Sequence, residues 1–222
     1  NYIRIGGVSR DMPPKFLDEV KAFIDYFEPK IDEYNALLTN NLIFTQRTTG
    51  IAVMSKEMAI NYGITGPNLR GAGLQWDLRK DEPYSIYDRF DFDIPYGKDI
   101  PEIGAVRGDC WNRYKVRMDE MKESVRIIRQ ILESGIPDGP VMAELKAVRP
   151  PKGEIFFCSE APRGELGFYI VSDGTPKPVR VKAKSPCFTA LSALRELSRG
   201  LMVADIIAII GSIDIVMGEV DR

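Results

Sequence analysis

Residues 154–183 read EIFFCSEAPRGELGFYIVSDGTPKPVRVKA and carry a strand signal in a chain that is otherwise patterned mainly for helix. Three segments of this stretch are rich in β-branched and aromatic residues, namely 154–158, 165–172 and 179–183. Between the last two, the dipeptide Asp173-Gly174 is a turn signal that joins antiparallel strands. The stretch therefore predicts a small antiparallel β-meander.

Helical patterns flank the predicted sheet on both sides. Residues 15–38 and 109–134 place apolar side chains at steps of three and four, which is the spacing of one helix face. Pro29 falls inside the first of these helices and predicts a kink or a split there. Shorter helices are predicted over 56–62, 188–198 and 201–210.

Together these patterns predict an α+β fold with long helices packed together and a minor sheet on one side. We expect one domain over residues 1–222. Within it, 1–150 should be mainly helical, 151–185 should form the small antiparallel sheet, and 186–222 should form C-terminal helices and a buried tail.

Composition excludes several classes of function. The formal net charge of −2 lacks the basic excess of a nucleic-acid surface, so no nucleic-acid partner is expected. The three cysteines, Cys110, Cys158 and Cys187, lie 48 and 29 residues apart, which fits neither a zinc site nor a ferredoxin-type cluster. We therefore expect no metal and no cofactor bound by this chain.

The chain contains no histidine. Ser–His–Asp and Cys–His catalysis are therefore excluded within it, and any proton chemistry must use carboxylates, Tyr, Lys or a partner protein. No residue is predicted to be catalytic by itself.

The first residues, NYIRIGGVSRDMPP, carry no initiator Met and no signal-like apolar segment, so we expect them to be an interior point of a longer protein. Residues 200–220 are the one membrane-like stretch. They contain Asp205, Asp214 and Glu219, and an acid near the centre of a span costs about 2.5–3.5 kcal/mol on insertion scales. A buried helix followed by a turn is predicted here, with no membrane span.

The first candidate for chemistry is EAPRGELG, residues 160–167, between two predicted strands. The glycine after Arg163 lets backbone approach a ligand closely, and the guanidinium could clamp an anion or stabilise an electron-rich group. The alternative is a plain turn in which Arg163 pairs with Glu160 or Glu165.

The second candidate is the tail SIDIVMGEVDR, residues 212–222, where three acids and the terminal carboxylate lie beside one arginine. If these groups are buried they must be paired or protonated, because an isolated buried charge is too costly. Carboxylates with raised pKa values would then make a proton store or relay. The alternative is a terminus that frays into water.

Four segments, read together and in order, carry a family resemblance. They are RTTGIAVMSKEMAINYGITGPNLRGAGLQWDLRK (47–80), RMDEMKESVRIIRQ (117–130), EAPRGELGFYIVSDGTPKPVRVKAKSP (160–186) and VADIIAIIGSIDIVMGEVDR (203–222). They resemble the C-terminal portion of the D subunit of bacterial NADH–quinone oxidoreductase, the respiratory complex I, a family descended from the large subunit of nickel–iron hydrogenases. The resemblance implies the mainly helical large-subunit fold of the hydrogenase type.

The resemblance also interprets the tail. In the related hydrogenases this segment reads Asp-Pro-Cys-x-x-Cys-x-x-His, and its thiolates hold the nickel–iron centre. Asp214 matches the aspartate, Val216 and Glu219 fall at the cysteines, and Arg222 falls at the histidine. Because valine cannot ligate a metal, the resemblance implies a former metal pocket without its ligands. It also implies that Glu219, Asp221 and Arg222 form a buried ionic network that anchors the tail.

For function, the resemblance implies a core peripheral-arm subunit of a proton-translocating NADH:quinone oxidoreductase. Arg163, Asp214 and Val216 are implied to line the quinone-reduction chamber. Quinone is then the substrate of the complex, and the terminal iron–sulfur cluster belongs to a partner of the B type. The other implied partners are the C-, I- and H-type subunits, at the cytoplasmic side of the inner (plasma) membrane.

Two departures from the family limit what can be carried over. First, the histidine and tyrosine that are thought to bind the quinone headgroup belong to a part of the family that precedes Asn1, outside this sequence. Second, the family usually has a histidine-bearing helix within the segment that matches residues 139–154, and this sequence lacks it. We therefore expect the isolated chain not to turn over quinone.

Two alternatives keep the fold but change the function. One is the same subunit type in a ferredoxin- or deazaflavin-linked complex, since no NAD or flavin motif of this chain identifies the electron donor. The other is a structural or assembly module with a decayed hydrogenase site. Convergence of Arg163 and Asp214 on one cavity separates the second alternative from a quinone chamber, because a scaffold does not need them to meet.

Overall fold

The computed structural model of the chain describes residues 2–135, 138–144 and 148–221. Helices dominate, and two small antiparallel sheets accompany them, so the predicted α+β class is confirmed. The helices are α1 (Phe16–Tyr34), α2 (Leu42–Thr48), α3 (Lys56–Asn61), α4 (Gly66–Gly71), α5 (Leu78–Asp81), α6 (Cys110–Ser134), α7 (Pro186–Ser192), α8 (Leu194–Leu197), α9 (Asp205–Ile213) and α10 (Met217–Asp221). The strands are β1 (Ile3–Arg4), β2 (Gly7–Val8), β3 (Gly153–Ala161), β4 (Gly164–Ser172) and β5 (Arg180–Lys184).

The predicted meander is confirmed as a three-stranded antiparallel sheet in the order β3-β4-β5. Its register pairs Cys158 with Gly167, and Gly167 in turn with Lys184. A loop of two residues, Pro162 and Arg163, joins β3 to β4. The tip of this hairpin therefore presents Arg163 at a fixed point of the sheet.

Two long helices, α1 and α6, pack along each other. Ile24 and Ile31 of α1 are buried against Met118 and Val125 of α6. Pro29 lies inside α1, which runs without a break from Phe16 to Tyr34, so the predicted split is wrong. Proline has no backbone N–H, so one hydrogen bond of the helix is missing at Pro29. Buried contacts on both sides of Pro29 keep the helix continuous despite this loss.

The main apolar core lies around α4 and α9. Its buried members come from α3, α4, the first turn of α6, α8 and α9, and include Ala59, Leu69, Cys110, Leu197 and Ile209. This core fixes the end of α9 against α4 and α6. The described residues contain no helix that is both long enough and apolar enough to cross a membrane.

The two C-terminal helices predicted over 188–198 and 201–210 differ from the structure in their bounds. The first is divided at Ala193 into α7 and α8, and the second begins only at Asp205 and runs on to Ile213. The buried carboxylate of Asp205 accepts a hydrogen bond from the backbone N–H of Met202, which sets the later start.

Two glycines let the β3–β4 hairpin touch the beginning of α4. Gly66 has φ +67° and Gly164 has φ +130°, and a Cβ added to Gly66 would lie 2.4 Å from the Gly164 Cα. Thr65 Oγ1 accepts a hydrogen bond of 2.9 Å from the backbone N–H of Glu165 across the same contact. The hairpin tip and α4 are therefore held in fixed relation by direct backbone contact.

This contact predicts a difference between two glycine substitutions. Gly164→Ala places a Cβ 2.5 Å from Thr65 Oγ1, whereas Gly174→Ala, at φ +92°, meets nothing within 4 Å. Both variants suffer backbone strain, but only the first also suffers overpacking. We expect Gly164→Ala to lose about 1–3 kcal/mol more free energy of unfolding than Gly174→Ala in urea denaturation. Equal losses would show that the close contact contributes nothing.

Candidate functional site

A cleft of about 440 Å³ lies between α6, the tip of the β3–β4 hairpin and the residue that follows α9. Charged side chains dominate its walls. The basic ones are Arg70, Arg79, Arg117 and Arg163, and the acidic ones are Glu120, Glu160 and Asp214. Two of the residues predicted from sequence to line a chamber, Arg163 and Asp214, thus meet at this cleft.

Asp214 reaches the cleft because the end of α9 is held by side chains of two other helices. Asn68 Nδ2 of α4 donates to the Ile213 carbonyl at 3.1 Å, and Arg113 Nε of α6 donates to Ser212 Oγ at 3.0 Å. Arg117 Nη2, also of α6, donates to the Ser212 carbonyl. The last carbonyls of a helix need such partners when they are buried.

Asp214 then turns out of the helix in the left-handed conformation, at φ 56° and ψ 57°. A non-glycine residue there is strained by about 1–3 kcal/mol, so the surrounding contacts must over-determine it. Its carboxylate faces Arg163, whose Nη2 donates to Oδ1 at 3.4 Å. Arg163 Nε lies 3.0 Å from Oδ2 as an ion-pair contact that is not aligned as a hydrogen bond.

The alternative pairing of Arg163 with Glu160 or Glu165 is not the one that forms. Glu160 accepts instead from Arg70 Nη1 at 2.9 Å, and Glu165 accepts from Lys184 Nζ at 2.6 Å. The hairpin tip therefore presents its guanidinium to the C-terminal part of the chain.

Arg70 joins the carboxylates on the inner wall of the cleft. Its side chain is buried, and its Nε contacts Glu120 Oε1 at 2.8 Å while Nη1 contacts Glu160 Oε1 at 2.9 Å and Asp77 Oδ2 at 3.3 Å. Asp77 also accepts hydrogen bonds from Nε and Nη2 of Arg79. We call Arg70, Asp77, Arg79, Glu120 and Glu160 the Arg70 cluster.

Burial raises the pKa of Glu120 and of Glu160, although the charge of Arg70 opposes both shifts. Asp77 behaves differently. Burial opposes its ionisation, but the hydrogen bond from Arg79 and the charge of Arg70 leave its pKa below the ordinary value. The cluster therefore combines one carboxylate that stays ionised with two that accept protons more readily than usual.

Two arginines of α6 lie deeper in the wall. Arg113 is fully buried, where it donates to the Ala52 and Gly108 carbonyls and to Cys110 Sγ. Burial lowers the pKa of Arg113. Burial also lowers the pKa of Arg117, to about 10, while the nearby charge of Asp214 opposes that shift. Arg117, which lines the cleft, therefore remains charged at neutral pH.

The predicted ionic network of Glu219, Asp221 and Arg222 stays a prediction, because the structure does not describe Arg222. Glu219 does anchor the tail: its carboxylate accepts from Ser185 Oγ at 3.1 Å, from Cys187 N at 3.2 Å and from Cys187 Sγ at 3.0 Å. Asp221 is exposed in the structure of the single chain, so its predicted burial is wrong there. Arg222 lies outside the described residues.

Val216 lies two residues beyond Asp214 and is 38% exposed. Within the described residues it falls outside the set that lines the cleft, so its predicted place on a chamber wall stays a prediction. The tail itself is not frayed, because residues Met217–Asp221 form α10 and Glu219 is bound to α7.

Sequence reasoning missed Arg70, Arg117 and Glu120 as site residues. A signal for two of them exists. Arg113, Arg117 and Glu120 recur at steps of four and three along α6, which places them on one helix face, next to the apolar seam of Met118 and Val125. Hydropathy does not distinguish this face from a solvent-exposed one, because the burial of paired charges leaves the charge pattern unchanged.

The cysteines do not gather into a metal site. Within residues 2–135, 138–144 and 148–221, no group of three or more Cys, Asp or Glu side chains is placed to hold a metal ion. Cys110 and Cys187 are buried, and Cys158 is half-buried on β3. Each packs in a different element of the fold.

The raised pKa of Glu120 predicts a pH dependence of stability. The folded chain binds this proton more tightly than an unfolded carboxyl of pKa 4.5, so the contribution of Glu120 is complete below pH 4.5 and is lost as pH rises through the folded pKa. We expect the stability of the wild type relative to Glu120→Gln to fall in urea denaturation as the pH rises above 4.5.

A second variant of the same cluster supplies the control. Asp77 has a lowered pKa, so its contribution is present above pH 3.8 and is lost as pH falls through the folded pKa. The stability of the wild type relative to Asp77→Asn should therefore decrease toward acid. Parallel pH slopes for the two variants would contradict the assignment of opposite shifts.

The contact between Cys187 and Glu219 predicts thiol reactivity. Burial and the hydrogen bond to Glu219 raise the pKa of Cys187 to about 11, so its thiolate is scarce at neutral pH. We expect Glu219→Gln to shift the pH midpoint of Cys187 alkylation by iodoacetamide downward, as followed by mass spectrometry. Asp221→Asn makes the same charge change in α10 at an exposed position and should leave the midpoint unchanged.

Comparisons with known proteins agree with the sequence resemblance. A family model described as "Respiratory-chain NADH dehydrogenase, 49 Kd subunit" matches residues 1–151 and 145–222. Curated relatives named as the D subunit of NADH-quinone oxidoreductase include those of Geobacillus kaustophilus (strain HTA426), 50% identical over 222 residues, and Prosthecochloris aestuarii (strain DSM 271 / SK 413), 52% identical over 231 residues.

These relatives are longer than the chain. All of the chain is matched in both alignments, and it covers 58% of the Geobacillus protein and 56% of the Prosthecochloris protein. The identity of about one half holds over the full 222 residues, and the family model leaves no segment of the chain unmatched. The chain therefore belongs to the family of the 49 kDa subunit of respiratory-chain NADH dehydrogenase.

Proposed function

We propose that this chain forms part of the quinone-reduction chamber of a proton-translocating NADH:quinone oxidoreductase. The observation that carries the proposal is the convergence of Arg163 and Asp214 on one cleft, at an ion-pair distance of 3.0 Å. A scaffold with a decayed site has no need to hold a strained aspartate against a guanidinium at the rim of a cavity.

The site would take electrons from a neighbouring subunit. Quinone reduction consumes two electrons and two protons, and the electron donor in this proposal is the terminal iron–sulfur cluster of a B-type partner. The chain's own residues would bind and orient the headgroup. The remaining partners would be the C-, I- and H-type subunits, with the whole arm peripheral to the membrane on the cytoplasmic side.

The protons could be held close to the headgroup by the chain itself. Glu120 and Glu160 line the cleft, and burial raises the pKa of both carboxyl groups. A carboxyl of raised pKa keeps its proton to higher pH than an ordinary carboxyl, so it has a proton to give to a more basic oxygen, such as that of a reduced quinone. Arg70 bridges the two carboxylates and would keep them in position as they exchange protons.

The Arg163–Asp214 pair is tested in the assembled oxidoreductase that contains this subunit. Arg163→Gln and Asp214→Asn each leave one charge of a close pair unmatched at the cleft, so we expect NADH–quinone reduction to fall at least about tenfold. Electron transfer from NADH to ferricyanide, which takes electrons ahead of the chamber, should be unchanged.

Arg107→Gln is the matched control for this test. Arg107 forms an ion pair of 2.8 Å with Asp99 at the surface, away from the cleft. Exposed pairs contribute little, so this variant should retain full activity. Full quinone reduction by the Arg163 and Asp214 variants would refute the proposal.

A further inference from the structure

Arg117 uses only part of its guanidinium to hold the fold. Its Nη2 donates to the Ser212 carbonyl, but its Nη1 is buried and has no hydrogen-bond partner among the residues that the structure describes. A buried donor without an acceptor is unfavourable, and native proteins rarely keep one without a reason. The arginine lines the cleft, one helical turn before Glu120.

A second buried N–H donor in the same wall also lacks a hydrogen-bond acceptor. Arg163 Nε is buried without a hydrogen bond in the described part of the chain, although it lies 3.0 Å from the Asp214 carboxylate. Asp214 is also the strongest attractive charge acting on Arg117, and Arg163 is one of the repulsive charges at the cleft. Two guanidinium groups therefore flank one carboxylate, each with an unused N–H group.

The two unused N–H groups favour a negative or electron-rich oxygen at this place. Asp214 and Glu120 both attract Arg117, but neither accepts a hydrogen bond from its Nη1. The acids of the Arg70 cluster take their hydrogen bonds from Arg70 and Arg79 instead. Fixed donors aimed at a developing negative charge stabilise it strongly in a site shielded from water.

We propose that Arg117 and Arg163 form an oxyanion site, in which Arg117 Nη1 donates a hydrogen bond to the ligand oxygen that gains negative charge. The inference rests on the proposed function and deepens it. A quinone takes one electron to give the semiquinone radical anion, and a second electron with two protons gives the quinol. Arg117 contacts the oxygen that carries the charge after the first electron.

A ligand reaches Nη1 through a small side-chain movement. The side chains of Arg163 and Asp214 are each about one-third exposed, at 31% and 35%, so their contact lies at the cleft surface and can open toward an incoming acceptor. Arg117 keeps its bond to the Ser212 carbonyl during this movement. The forked guanidinium suits the task, since one arm serves the fold and the other serves the ligand.

The experiment compares two naphthoquinones of nearly equal size on the full chain at pH 7.5. The first, 2-hydroxy-3-methyl-1,4-naphthoquinone, is an enolate anion at this pH, and the second, 2,3-dimethyl-1,4-naphthoquinone, is neutral. Both have a substituted quinone ring, which protects the three cysteines from addition. We expect the anion to bind at least about tenfold more tightly in calorimetric titration.

Variants assign that preference to Arg117. Arg117→Gln should remove most of the preference for the anion, and Arg117→Lys should keep a part of it. Arg126→Gln is the matched control, since Arg126 lies on the same helix and pairs with Asp91 at the surface. Circular dichroism checks that each variant is folded.

The outcomes separate this inference from the proposed function. Equal affinity of the unmodified chain for the two compounds, or no binding of either, would overturn the oxyanion site whatever the variants do. So would an anion preference that Arg117→Gln retains, or one that inorganic phosphate abolishes at equal concentration. The activity of the Arg163 and Asp214 variants in the assembled complex decides the proposed function separately.

Discussion

The end of α9 is the constraint on which the site depends. Asn68, Arg113 and Arg117 hold the carbonyl and hydroxyl groups of Ser212 and Ile213 from two other helices. Without these bonds the last turn would need water, and the chain could leave the helix in another direction. With them, the next residue is forced into a left-handed turn toward the hairpin tip.

The opposite wall of the cleft is fixed with similar rigidity by different means. Gly66 and Gly164 allow direct contact between α4 and the hairpin, so the guanidinium of Arg163 is placed by backbone and not by a flexible stem alone. The same α4 supplies Asn68 and Arg70. One short buried helix thus organises both walls, and preorganised polar groups of this kind are what reactive sites require.

The secondary-structure elements could be predicted from the sequence better than the tertiary contacts that form the cleft. The three strands follow from β-branched and aromatic residues and from the Asp173-Gly174 turn, and the long helices follow from apolar steps of three and four. The meeting of Arg163 and Asp214 came from family resemblance, since 51 residues separate them. The burial of Arg70 and Arg117 could not be predicted, because charged residues inside a fold depend on partners that only the tertiary structure brings together.

The Arg70 cluster makes its five members interdependent in evolution. Two positive and three negative side chains share a confined space, so losing Arg70 or Arg79 leaves buried carboxylates without their counter-charge. Removal of a whole opposite-charge pair is then less harmful than removal of either member, and the effects of single changes do not add. Substitution here should proceed by coordinated exchanges, and a lineage that has lost Arg70 should also have lost one of its acids.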